Sequence, residues 1–122
     1  MLPILHKNKL ITFQHLVTDL LSLLDSIDWE DQESKKIPPV LIQEGKKLLT
    51  YFQSEILTLK EDEIDLSLRS SWLSFQTETH RCLRLLTTEL LFLASSNNPQ
   101  TREQRIVKIK KILEQITSLI DG

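Results

Sequence analysis

The chain reads as an all-α protein, expected to fold as an antiparallel up-down-up-down four-helix bundle, and three observations lead there. Only two glycines and four prolines occur in 122 residues, too few chain-breakers for the many turns of a β-sandwich. Apolar residues recur at alternating three- and four-residue steps over four segments, the period that stacks side chains on one face of a helix. Three polar or proline-bearing breaks separate those segments, and short connections make sequence neighbours into spatial neighbours. Hydrophobic residues at 40% and charged residues at 26% give the balance of a folded chain rather than a disordered one. The length suits a single core.

The first helix is expected over about 3–27. Leu10, Phe13, Val17, Leu20, Leu24 and Ile27 form its stripe, and Leu16, Leu21 and Leu23 widen it beyond a coiled-coil seam. The break that follows runs from Asp28 to Ile37 and carries Trp29 among acids, expected to fold back over the bundle end. Pro38 and Pro39 close it; proline disfavours helix in the residue before it yet suits a first turn. The second helix is expected over about 38–60, with Leu41, Gly45, Leu48, Phe52, Ile56 and Leu59 inward. Gly45 costs about 1 kcal/mol in helix propensity, which a close approach by a neighbouring helix would explain. Carboxylates oppose the macrodipole at a helix C-terminus, so Glu61, Asp62 and Glu63 put the end near Lys60.

The third helix is expected over about 65–95, with the stripe Leu68, Trp72, Phe75, Thr79, Leu83, Leu86, Leu90 and Leu93. The sequence from Ser96 to Pro99 is the clearest turn. Thr101 and Gln104 after it have capping-box spacing, which starts the fourth helix near 101 and runs it to about 120 through Ile106, Ile109, Ile112, Leu113, Ile116 and Leu119. The tight turn makes the last two helices antiparallel neighbours, so Glu89 should lie near Arg105 or Lys108.

The chemistry-bearing residues do not assemble into a catalytic pattern. His80 and Cys82 are two apart, on opposite sides of a helix, and His6 and His15 are nine apart, so neither pair has metal-ligand spacing. No Glu-x-x-His pair occurs for a di-metal bundle. Neither a nucleophile elbow nor a phosphate loop is present, and two glycines could not build the latter. No enzyme activity, cofactor or metal is therefore expected. A formal net charge of −2 lacks the basic excess that nucleic-acid binding draws on. A single cysteine, Cys82, excludes an internal disulfide and suits a reducing compartment. The start of the chain lacks a signal-peptide pattern, and the apolar stretch from Leu83 to Leu93 is interrupted by Arg84 and Glu89 and falls short of the ~20 residues of a membrane span. A cytoplasmic protein without membrane contact is expected.

Two surfaces stand out. The fourth helix is locally basic at Arg102, Arg105, Lys108, Lys110 and Lys111, either a solvated face or a docking face for an acidic partner. The third helix carries Leu85 and Phe92 seven apart and far from its stripe, beside Arg81 and Thr88, with Leu73 and Leu91 on the other flank. Apolar surface beyond one stripe has to be covered. Either the segment Leu2 to Leu5 or a loop covers it, or Arg81, Leu85, Thr88 and Phe92 bind a protein partner or a second copy.

The stretch from Ser74 to Ala94 carries Gln76-Thr77-Glu78, Leu83-Arg84-Leu85-Leu86 and Glu89-x-x-Phe92-Leu93. With its spacing to Thr101 and Arg105, and with the opening Met1-Leu2-Pro3, it resembles the cyanobacterial PatD-like family, the heterocyst frequency control proteins. The resemblance covers the third and fourth helices; Ala94-Ser95-Ser96 departs from the Ala-Arg ending of that pattern, and with it any role for a basic residue there. It implies a small non-enzymatic regulator in filamentous cyanobacteria that limits how many cells become heterocysts, through contact with the tubulin-like cell-division GTPase. The other reading of the residues is a structural or adaptor module, an obligate homodimer without a developmental role.

Overall fold

A computed structural model describes residues 2–27, 39–96 and 98–121. Among them there are four α-helices and no strand: α1 (Ile4–Ser26), α2 (Pro39–Tyr51), α3 (Leu66–Ser95) and α4 (Pro99–Asp121). The expectations for Trp29, for the loop around it and for Pro38 lie outside the described residues, as does Gly122. The stripes turn inward together. Phe13, Val17, Leu20 and Leu24 of α1 meet Leu41 and Leu48 of α2, Leu83, Leu86, Leu90 and Leu93 of α3, and Ile109, Leu113 and Ile116 of α4 in one core. Phe52, just beyond α2, is fully buried at its centre, with Phe13 at 5.4 Å, Phe75 at 6.4 Å and His80 at 6.1 Å between ring centroids. Aromatic pairs at such separations add to the burial itself.

Gly45 is buried, and a methyl group there would collide with the Leu90 side chain. The close approach expected from its place in the stripe is present.

Helix two departs from expectation near its end. Its α-helical part stops at Tyr51, and Phe52–Ile56 form a π-helical turn in which the Leu57 amide donates to the Phe52 carbonyl at 2.9 Å. The extra residue per turn keeps both Phe52 and Ile56 fully buried, which successive four-residue steps on a regular α-helix would progressively rotate away from the core. Carbonyls at and just beyond this end are met from other helices, Ile56 O also taking the Leu59 amide at 3.1 Å. Gln76 Nε2 donates to Ile56 O at 2.8 Å and to Leu59 O at 3.3 Å, and His6 Nε2 lies 3.4 Å from Lys60 O. Both side chains are buried, so these carbonyls are the partners that their burial requires. The acidic run Glu61–Glu63 is a short 3₁₀ turn beyond these contacts, and its macrodipole conflict is avoided because no α-helix runs into it.

The start of α4 is also corrected. The helix begins at Pro99, not at Thr101, because Asn98 Oδ1 accepts from the Gln100 amide at 2.8 Å. Asparagine before a proline in the first helical position is a stronger start than the Thr101 box.

Candidate partner-binding face

The outward side of α3 is opposite its core stripe, so its exposure is set by helical periodicity alone. Leu85 is 45% and Phe92 47% exposed. Arg81 and Thr88 are exposed as well. The four residues expected to bind a partner thus share one accessible side of one rigid helix. The segment Leu2 to Leu5 does not cover them. Leu2 instead lines a small apolar pocket with Leu68, Trp72, Leu119 and Ile120, while Ile4 and Leu5 are themselves exposed. Burial of Leu2 against Trp72 and Leu119 holds the start of the chain at the other end of α3. Leu73 and Leu91, the other flank, are also exposed.

The face has two borders of different chemistry. Toward α2 it opens into a shallow groove of about 650 Å³, with Leu49 from α2 and His80, Arg81, Arg84, Leu85 and Thr88 from α3 among its lining. His80 lies 3.2 Å from the Gln53 side-chain amide and stacks on Phe52. Arg81 pairs with Glu78 at 3.0 Å, one turn back, and this hydrogen bond pushes its guanidinium pKa up. Arg84 meets no carboxylate among the described residues. The Thr77, Thr87 and Thr88 hydroxyls donate to carbonyls of their own helix, leaving only acceptor capacity toward the groove.

Toward α4 the border is Phe92. The Arg105 guanidinium lies over its ring, 4.9 Å from the centroid, and the same guanidinium donates to Glu89 Oε2 at 2.9 Å. The Glu89–Arg105 pair expected from the turn is therefore formed, but in a different setting. The Glu89 side chain is only 8% exposed and that of Arg105 29%, so the pair is largely withdrawn from water rather than lying at a solvated edge. Glu89, Phe92 and Arg105, which carry part of the sequence resemblance, thereby converge on one cluster.

The basic face of α4 is largely consumed by such ties. Lys110 pairs with Asp25 at 2.8 Å, Arg102 Nε donates to Ser96 O at 3.1 Å, and Arg105 is held by Glu89. Lys108 and Lys111 remain exposed. Cys82 faces inward, 2% exposed, and burial pushes its thiol pKa up despite the opposing charge of Arg81. Among the described residues no group of three or more histidine, cysteine or acidic side chains could hold a metal ion, and no helix is long and apolar enough to cross a membrane.

Sequence reasoning placed Arg81, Leu85, Thr88 and Phe92 on one side. It missed that Arg84, His80 and Leu49 build a groove beside them and that Arg105 stacks on Phe92. Arg84 was legible as the residue one helical turn from both His80 and Arg81; the reach of Arg105 was not, because it depends on how two helices pack. Compared with known proteins, the chain matches no family model, no curated protein and no solved structure.

Proposed function

We propose that this chain is a non-enzymatic, cytoplasmic regulatory protein that works by holding a protein partner on the outward side of α3. The observation that carries the reading is a pair of large apolar side chains, Leu85 and Phe92, left nearly half exposed on a helix whose opposite side is fully packed. Such surface on a small protein marks an interaction site more often than chance exposure when aromatic and arginine side chains accompany it. Phe92 is also presented in a fixed orientation, because Arg105 lies on it and Glu89 fixes Arg105. A pre-ordered anchor loses less entropy on binding.

The scaffold we propose is an up-down-up-down antiparallel bundle. Its support is the pairing of the start of α1 with the end of helix two (Lys9 with Glu55), of Asp25 with Lys110, and of the end of α3 with the start of α4 (Glu89 with Arg105). The sequence resemblance supplies the biological setting: limitation of heterocyst frequency in filamentous cyanobacteria through the tubulin-like division GTPase. The test is the double variant L85S/F92S, measured for binding to the purified GTPase by biolayer interferometry and for helicity by circular dichroism. Loss of binding by about tenfold or more with helicity retained is expected, since two anchors near half exposure carry on the order of 1 kcal/mol or more of association each. Wild-type binding by the variant, or its unfolding, would refute the reading.

A further inference from the structure

We infer that the segment docking on this face is an acidic amphipathic helix of the partner, its carboxylates on Arg84 and its apolar row along Leu85 and Phe92. The inference rests on the proposed function and adds the partner's chemistry. The groove lining contains His80, Arg81 and Arg84 but no carboxylate. Within α3 the acidic side chains are Glu78 and Glu89, and both are engaged, Glu78 by Arg81 and Glu89 by Arg105. Arg84 is left without an acidic neighbour among the described residues, and a guanidinium at the lip of a groove offers a planar fork of donors that matches a carboxylate. The chain as a whole carries −2, so the unpaired charge of Arg84 is a local feature and not a reflection of general basicity.

Geometry narrows the form of the segment. Leu85 and Phe92 are separated by two helical turns, about 10 Å, and Arg81 lies about 16 Å from Phe92 along the axis. Arg84 borders the α2 side, where Leu49 lies, Phe92 borders the α4 side, where Arg105 covers it, and Leu85 lies between them at the lip of the groove. A partner with carboxylates along one edge and an apolar stripe along the other matches both borders at once, and three helical turns span the face. A second copy fits less well. A two-fold operator would bring the same cations to the contact, and the carboxylates of the helix are already committed within each copy.

The probe is a fluorescein-labelled helical peptide of roughly sixteen residues, leucines forming an i, i+4, i+7, i+11 stripe and glutamates filling one flank. It is titrated with the full chain and read by anisotropy, beside a version with lysine for each glutamate and one with serine for each leucine. Saturable binding of the glutamate–leucine peptide alone is expected, weakened about tenfold by R84E and by R81A/R84A, and reduced by added salt. R84K keeps the charge and should retain most of it; circular dichroism verifies that each variant is folded. Equal binding of the lysine peptide, no saturable binding of the glutamate–leucine peptide, or indifference to R84E would overturn the inference. So would sedimentation showing a dimer that L85S/F92S dissociates. If the peptide fails while L85S/F92S still releases the GTPase, the partner-binding function stands and only its acidic chemistry falls.

Discussion

Arg105 and Glu89 should respond asymmetrically to removal, because they are not equally buried. In Arg105→Ala the carboxylate of Glu89, 8% exposed, loses its charged donor in a place that water reaches poorly. Breaking a fully buried pair in this way costs 3–5 kcal/mol, but the space vacated by an arginine already 29% exposed lets water in, so about 2 kcal/mol is the expected loss. The contact with Phe92 adds about 0.5–1 kcal/mol. Glu89→Gln keeps an acceptor for Arg105, whose guanidinium can also turn to water while remaining on Phe92, so its cost is nearer to about 1 kcal/mol. For a chain of 122 residues each kcal/mol moves the melting temperature by about 4 °C. Thermal unfolding followed by circular dichroism should therefore place Arg105→Ala about 10–12 °C below wild type and Glu89→Gln about 4 °C below. The double variant E89M/R105M, which removes both charges, should recover most of the loss. Equal effects of the two single variants, or a double variant as unstable as Arg105→Ala, would refute the account of this pair.

Three further outcomes follow from the core. Gly45→Ala should destabilise by about 1 kcal/mol net in urea unfolding, since the overpacking against Leu90 (about 1–3 kcal/mol) exceeds the gain of about 1 kcal/mol in helix propensity; a more stable variant would contradict the close approach. Gln76→Met keeps the volume but removes the donor to Ile56 O and Leu59 O, and a loss of about 1–3 kcal/mol should appear in the same assay. The Cys82 thiol has a raised pKa, hence less thiolate than a free cysteine at any pH below it. Its reaction with a thiol reagent at pH 8 should be far slower in the native chain than in urea, and equal rates would place it at the surface.

Much of the fold was legible because it is written in periodicity. The steps from Phe13 to Leu24 and from Leu83 to Leu93 fix which side of α1 and α3 turns inward, whatever the neighbours do. The polar members of those faces were harder to see. His6 stands four residues before Leu10 and Gln76 four after Trp72, so both occupy inward positions, yet their burial depends on carbonyls at the end of helix two that neither helix encodes. The distortion had a faint trace, two consecutive four-residue steps from Leu48 through Phe52 to Ile56. Asn98 stands openly within the turn, but the spacing of Thr101 and Gln104 is the more familiar helix start and masks it. Of the candidate face, the shared side of Arg81, Leu85, Thr88 and Phe92 followed from helical geometry. The groove with Leu49 and the stacking of Arg105 needed the packing of three helices, which no single segment encodes.

The π turn at Phe52–Ile56 also couples chain length to side-chain identity. A turn of this kind is what a one-residue insertion leaves when the flanking positions are already committed to a core. Deleting a residue between Phe52 and Ile56 would let the α-helix continue with its flanking side chains still inward, and the Ile56 and Leu59 carbonyls would turn back to the amides of their own helix and away from Gln76. A glutamine there would then be a buried amide without acceptors, and an apolar residue would serve better. Homologous chains one residue shorter in helix two should therefore carry an aliphatic side chain at the position of Gln76, and chains of equal length a side chain able to donate.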